Sequence, residues 1–403
     1  VRKTFKYRLE PASAQERTLE VVLWRCRTLY NVALEQRRRW WARGQGVGAT
    51  YYQQKRELPD LKAACPEYAS IHAHLLQDVI LRVERTYQAF FRRVKNGETP
   101  KPVGYPRFQG QDRYHSFTFP EYGNGVVLDG AILSLSKIGR IPVRLHRPLE
   151  GTPKTVTLSQ EADGWYVCFS CADVPTQPLS LTGWETGIDV GLRVFLITAE
   201  GKVVENPRYY RTAERELKKA QQRVSKGKKG STRRRKAVKL LAKKHQHVRR
   251  QRTDFHQKTA LALVRQYDVL YVEAMQPANL SRRPAPVPDG SGGYLPNGAS
   301  AKVGLNKSIQ DAGWGRFLTI LACKAEWAGK RVEAVSPAFT TQDCSGCGER
   351  IQKSLSVRTH VCTNCGLVLD RDENAARNIQ WAGQALRGVP TLVGAMNREA
   401  PSL

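Results

Sequence analysis

The sequence predicts a mixed α/β chain of several domains: a small β-barrel with an inserted helical segment, then a mixed sheet flanked by helices. Three observations predict it. Short alternating strands recur between residues 101 and 183. The second half runs in the order βββ-α-β-α-β-α. Two Cys-x-x-Cys pairs, Cys344/Cys347 and Cys362/Cys365, interrupt that order before its last helix. The chain has 403 residues, enough for two or three domains with cores of their own.

Residues 1–10 alternate, with Phe5, Tyr7 and Leu9 set against Lys6, Arg8 and Glu10, as a half-buried strand does. If that strand joins the barrel of 96–183, the segment 11–95 is an insertion. Helical periodicity fills the insertion over 14–43, roughly 50–58 and roughly 70–95. Arg82, Arg85, Arg92, Arg93 and Lys95 give its last helix a positive face, read as a phosphate contact. Strands are expected at Val126-Val-Leu, Ile132-Leu-Ser-Leu, Arg140–Leu145, Thr155–Leu158 and Trp165–Phe169, and a boundary at 183–185.

Three strands then lie near Gly187–Gly191, Val194–Thr198 and Val203-Val204. A long helical region, 208–265, follows with a hinge at Ser225–Ser231. It is densely basic and includes Arg233-Arg234-Arg235-Lys236; Leu217, Ala220, Val224, Leu240, Leu241 and Val248 mark its packed side. A buried strand at Asp268–Ala274, a helix from Asp311 to Gly329 and a strand at Arg331–Val335 complete the order, which is the RNase H-like one. Residues 281–304 are rich in Pro, Gly and Ser without periodicity and read as a mobile lid. The stretch 389–403 reads as a loose tail.

Chemistry concentrates in two places. The cysteine pairs, fourteen residues apart and each followed by glycine (Gly348, Gly366), have the spacing of a four-thiolate site for one structural Zn²⁺. Cys168-Phe-Ser-Cys171 lacks a second pair and sits in a strand-like run, so it reads as incidental. The histidine pairs His72/His74 and His245/His247 are two residues apart, the wrong spacing for one helical face.

Asp189 lies between two glycines in an apolar strand, Glu273 ends the adjacent strand, and Asp372 falls in the first turn of the last helix. Asp370 and Glu373 have capping-box spacing there, and Ala375, Ala376, Ile379 and Gly383 form a small-residue face able to pack on a sheet. Three acids meeting without a paired Lys or Arg suit hard cations, two Mg²⁺ or Mn²⁺ ions, and phosphodiester hydrolysis. Singly, each has a plainer reading: a turn residue, a strand-end charge, a helix-dipole residue.

Composition bounds the partners. With 65 Lys and Arg against 36 Asp and Glu, the formal charge is +29, which calls for a polyanion. No apolar run reaches about 18 residues, so no membrane span is expected. The polar start Val1–Tyr7 is unlike a signal peptide, and a reducing cytoplasm without disulfides is expected.

These motifs together resemble the TnpB family, RNA-guided nucleases encoded by insertion sequences and related to type V CRISPR effectors. The resemblance rests on Tyr7-Arg-Leu-Glu-Pro11, Arg27-Thr-Leu-Tyr-Asn31, Phe90–Lys95, Gly104-Tyr-Pro-Arg-Phe108, Gly187–Gly191, Asp311-Ala-Gly-Trp-Gly315, both knuckles and Asp370–Ala376. It implies a wedge barrel (1–10 and 96–183) with a helical recognition insertion (11–95). It further implies a RuvC nuclease domain (184–342 and 367–388) interrupted by a zinc ribbon (343–366).

It also implies one monomer per guide RNA, that RNA being transcribed from the element's end, in a prokaryotic cytoplasm and at the nucleoid when on DNA. Recognition of a short motif beside a double-stranded target and cutting of both strands would follow. By alignment, Asp189, Glu273 and Asp372 take the catalytic places, the four cysteines the zinc places, and Tyr51 and Gln77 the motif-reading places. The alternatives are a guide-bound DNA-binding regulator or CRISPR-associated relative with weak or no cleavage, a guide-independent structure-selective nuclease, and a non-enzymatic zinc protein.

Overall fold

The computed structural model describes residues 1–42, 49–97, 104–111, 113–354 and 356–388; the expected tail at 389–403 lies outside the described residues. The chain divides into two compact units, Val1–Pro175 and Thr176–Leu403.

In the first unit, strand β1 (Lys3–Leu9) leads into helices α1 (Ser13–Ala42), α2 (Tyr51–Arg56), α3 (Leu58–Ala64), α4 (Pro66–Ala69) and α5 (Ala73–Lys95). Strands β2 (Ser116–Phe119), β3 (Val126–Asp129), β4 (Ile132–Leu135), β5 (Gly139–Arg144), β6 (Thr152–Glu161) and β7 (Gly164–Ala172) follow. They form one antiparallel sheet in the order β2-β6-β7-β1-β5-β4-β3, curved toward a barrel. The first strand is therefore central, and the helices are an insertion between it and the rest. Its alternation explains the placement: Phe5, Tyr7 and Leu9 all enter the core, with Phe5 opposite Phe169 and Tyr7 opposite Val167.

Arg82 does not serve as a free phosphate contact. Its guanidinium donates to Asp78 (2.8 Å), the Ser116 carbonyl (2.7 Å) and Thr118 Oγ1 (2.8 Å), tying α5 to β2. Asp78 is buried, so the ion pair compensates a charge that would otherwise be costly there.

The second unit opens with β8 (Glu185–Val190), β9 (Val194–Thr198) and β10 (Val203–Glu205), then the helical hairpin α6 (Tyr209–Ser225) and α7 (Thr232–Gln266). Strand β11 (Val269–Glu273) precedes α8 (Pro277–Leu280), a small hairpin of β12 (Val287–Pro288) and β13 (Tyr294–Leu295), and helices α9 (Ala299–Ala312) and α10 (Trp314–Trp327). Strand β14 (Arg331–Val335), the short strands β15 (Thr359–Val361) and β16 (Val368–Asp370), and α11 (Arg371–Gly388) end the described chain. The five-stranded sheet runs β10-β9-β8-β11-β14, antiparallel in its hairpin half and parallel from β8 onward.

Four details depart from expectation. Residues 176–184 pack with the second unit, because Asp268 accepts from the Thr182 and Gly183 amides and Leu179 N–H bonds Ala328. The segment 281–304 is not without structure: it holds the β12–β13 hairpin and the start of α9. The helix expected from Asp311 is two helices, divided at Gly313 in the left-handed region (φ 64°). On the basic hairpin Leu217, Ala220, Val224 and Val248 are buried as expected, whereas Leu240 faces solvent.

The last helix lies across β8 and β11. Ala375, Ala376 and Ile379 are fully buried. A Cβ at Gly187 would come 2.0 Å from the Ala376 carbonyl oxygen, and one at Gly383 would come 1.9 Å from the Tyr271 ring. Both glycines are close-approach positions.

Candidate active site

Strand β8 buries Thr186, Gly187 and Ile188 and leaves Asp189 half-buried at its end. In the parallel pairing with β11 the last matched pair is Ile188 with Val272, so Asp189 and Glu273 follow at the same level, at the carboxyl ends of adjacent strands. Open α/β sheets present their ligand sites at these ends. Helix α11 starts over the same end, with Asp372 buried in its first turn.

The charges are coupled. Burial, then the Glu273 and Asp372 carboxylates, push the Asp189 carboxyl well above the usual range, opposed by the Arg371 guanidinium. Burial also raises Glu273, against the Thr340 hydroxyl that donates to its Oε1 (2.6 Å). Like charges held this way favour a bound cation.

Asp372 differs from expectation. It receives Arg371 (3.1 Å) and, from the residue just before β15, Arg358 (3.4 Å). The sequence conceals this pairing because the β15–β16 turn brings Arg358 back beside the helix start. Both distances exceed the 2.7–2.9 Å of a strong charge-assisted bond. Nor are the acids drawn tightly together: among the described residues, the four cysteines are the one group of three or more ligating side chains whose donor atoms lie within 4.8 Å of one another.

Much of the motif Asp370–Asn378 is spent on placing Asp372. Asp370 caps the helix by accepting from the Asp372 amide (2.8 Å) and pairs with Arg193 (2.8 Å). Glu373 does not complete the expected capping box; it pairs with Arg377 (2.7 Å), which also donates to the Ala199 carbonyl. Asn374, fully buried, accepts from the Ser345 amide (2.9 Å) and donates to the Asp343 carbonyl (2.8 Å). Asn378 donates to the carbonyls of Thr340 (2.8 Å) and Asp343 (2.6 Å). These asparagines and Thr340 had no spacing signal; the asparagines' partners are 29 to 38 residues away, and Glu273, which the Thr340 hydroxyl meets, is 67 away.

The thiolate cluster is closed. Cys344 and Cys365 Sγ are 3.6 Å apart, Cys347 and Cys362 Sγ 3.5 Å. A tetrahedral Zn²⁺ with bonds of about 2.3 Å needs edges of about 3.8 Å, so the donor set fits that ion. Amides of Gly346 and Cys365 donate to Cys344 and Cys362 Sγ (3.3 and 3.4 Å), and the Cys365 amide is the main influence lowering the Cys362 thiol. Gly348 and Gly366 take positive φ (81° and 73°), as the knuckle turns predict. Each knuckle closes its own turn, one beside the Asp343–Arg350 bridge and one between β15 and β16. Cys168 and Cys171 lie along β7.

The other singled-out residues are dispersed. Tyr51 opens α2 and packs on the first unit's core, and Gln77 is half-buried on α5. Arg85, Arg92 and Arg93 are exposed on α5, and Arg93 donates to the Ala89 carbonyl. On α7, Arg233, Arg235 and Lys236 are exposed, but Arg234 turns inward to the Val224 carbonyl (3.3 Å).

What these parts define is a chain of two compact α/β units, one carrying coupled carboxylates at its sheet end and a Cys₄ cluster. Residues 314–379 match the "Cas12f1-like, TNB domain" family, 168–283 the family described as "Probable transposase" (OrfB_IS605), and 1–46 its "Helix-turn-helix domain". Where the last name suggests two helices, the described residues of that span hold β1 and the single helix α1.

A Streptomyces pristinaespiralis protein, provisionally named an RNA-guided DNA endonuclease, is 32% identical over 96% of this chain and 90% of its own length. InsQ of Escherichia coli K12, with the same provisional name, is 28% identical over 95% and 93%. The fold is similar to that in a Cas12f1–sgRNA–target DNA complex (TM-score 0.51, 13% identity, 92% and 83% covered). The chain belongs to the TnpB family. No helix among the described residues is long and apolar enough to cross a membrane.

Proposed function

We propose that this chain is an RNA-guided DNA endonuclease of a transposable element. It cleaves double-stranded DNA beside a short target-adjacent motif in a single RuvC-type site. The observation that carries the reading is the coupling of Asp189, Glu273 and Asp372, three acids from distant stretches of sequence. The crowding that raises the Asp189 and Glu273 carboxyls is what a divalent cation would relieve, and oxygens not drawn tightly together suit Mg²⁺, which keeps several waters of its own.

Asp189, Glu273 and Asp372 would hold two Mg²⁺ or Mn²⁺ ions. When bound, such ions supply an activated water and stabilise the leaving oxygen of a phosphodiester. The protein's own contribution is placement. Thr340 orients Glu273, the Asp370 cap and the two asparagines fix the start of α11, and the thiolates, loaded with one Zn²⁺, hold the segment to which those asparagines bond. A guide RNA supplies sequence specificity by base pairing, leaving the protein to hold backbones with its net charge of +29.

The second reading, a guided DNA binder with weak cleavage, is favoured by the arginines on Asp372. A CRISPR-associated DNA-binding protein, Cas12m of Allomeiothermus silvanus, is also 32% identical over a third of the chain (132 residues). Incubating the protein and its co-purified RNA with a matched plasmid and Mg²⁺ decides between them. Linearisation lost in Asp189→Ala supports the nuclease; protection of the target from transcription without cutting by the unaltered protein supports the binder.

A further inference from the structure

At one end of the first unit, large aromatic side chains that would normally be buried stand in solvent. Trp41 ends α1 at 64% exposure, Phe91 on α5 is 48% exposed, and Tyr105 and Phe108 are 36% and 44% exposed. They are continuous rather than scattered. Trp41 meets Phe91 (6.3 Å between ring centroids), Phe91 meets Phe90 (5.2 Å), and Phe90 meets Tyr105 (5.2 Å). The Arg38 guanidinium lies over both Tyr105 (5.6 Å) and Phe108 (5.2 Å). A contiguous exposed apolar patch of this kind marks a binding surface.

The rim says what would cover it. Arg38 lies over two of the rings, Arg92 and Arg93 directly follow Phe91 on α5, and all three are exposed. A second copy would bring the same cations face to face, so self-association is disfavoured. Rings that accept a flat partner, edged by cations that accept phosphate, match unpaired nucleobases on their backbone. The Tyr87 and Tyr105 hydroxyls bond each other (2.8 Å), which ties the Tyr105 ring to α5.

We propose that Trp41, Phe91, Tyr105 and Phe108, with Arg38, form a stacking platform for unpaired DNA. This rests on the nuclease reading for its biological source, the strand opened when a guide pairs with its target; the binding itself does not depend on cleavage.

The experiment measures anisotropy of labelled oligo(dT), oligo(U) of equal length and a hairpin duplex on the full chain with its co-purified RNA. Trp41→Ala/Phe91→Ala is expected to weaken oligo(dT) binding roughly 10- to 100-fold while leaving its salt dependence unchanged. Arg92→Ala/Arg93→Ala should instead flatten the salt dependence. Both pairs are on the surface, and an unchanged melting temperature confirms that each variant folds.

The proposal is overturned if the aromatic variant binds oligo(dT) like the parent, or if oligo(U) binds and oligo(dT) does not. It is overturned equally if the parent sediments as a dimer that the aromatic variant dissociates. Asp189→Ala separates the two readings: it should abolish plasmid cleavage and keep oligo(dT) binding. Loss of the platform alone would leave the cleavage assignment standing.

Discussion

Asp189 keeps its proton to a higher pH in the folded chain than an ordinary carboxylate does, because burial and the carboxylates of Glu273, Asp372 and Asp370 disfavour its charge, only partly opposed by Arg371. The protonated form is therefore the favoured one. The stability it contributes is complete below the ordinary carboxylate range and declines as pH climbs through the raised value. Asp189→Asn cannot ionise, so at neutral pH and without divalent ions it should melt higher than the parent, by roughly 2–4 °C for each kcal/mol recovered. The gap should close near pH 4. Added Mg²⁺ should raise the parent's melting temperature and not the variant's. Thr340 offers a second check. Its hydroxyl holds Glu273 partly down, so Thr340→Val should raise that carboxyl further. The acid limb of the cleavage profile should then move to higher pH with the alkaline plateau kept; an unmoved limb would show that Glu273 does not govern it.

At the level of elements, what was legible in the sequence was whatever repeats along the chain. The alternation of Phe5, Tyr7 and Leu9 located the central strand. Leu217, Ala220 and Val224 located α6, and the glycines after each knuckle located its turn. What the sequence hid depends on partners brought from elsewhere. Arg82 looks like its neighbours on a basic helix until Asp78, Ser116 and Thr118 surround it. Asp311 reads as a motif residue, yet in the fold its carboxylate accepts from the Tyr210 and Arg211 amides (2.8 and 3.1 Å), capping the start of α6. Small-residue positions were legible in part: Ala375, Ala376 and Gly383 announced a close-packed helix, but not that Gly187 is its counterpart. Gly187→Ala would force a methyl against the Ala376 carbonyl, and a loss of about 3 kcal/mol or more is expected by denaturant unfolding. Gly383→Ala would drive a methyl into the Tyr271 ring, which is fully buried and held at its hydroxyl by Glu185, so a comparable loss is expected.

At the scale of the whole molecule, charge dominates. The excess of 29 positive charges gives nucleic-acid binding a steep ionic-strength dependence. The α6–α7 hairpin is the sharpest single contributor to test. Neutralising Arg233, Arg235 and Lys236 together should reduce the slope of log affinity against log salt by roughly 2–3, about 0.7–0.9 for each phosphate no longer neutralised. Arg234→Ala should act differently, loosening the hairpin where its side chain fits beneath Gly227 and lowering thermal stability more than it flattens the slope.

The bonds from Asn374 and Asn378 to the backbone ahead of the first knuckle have an implication for how such a protein could be silenced. Disarming it by replacing an acid is visible to anyone who inspects the acids. Loosening the cysteine lobe, through a missing thiol or either amide, would unseat the start of the last helix while all three acids remained in the sequence. A descendant chain could therefore retain all three acids and work only as a guided clamp.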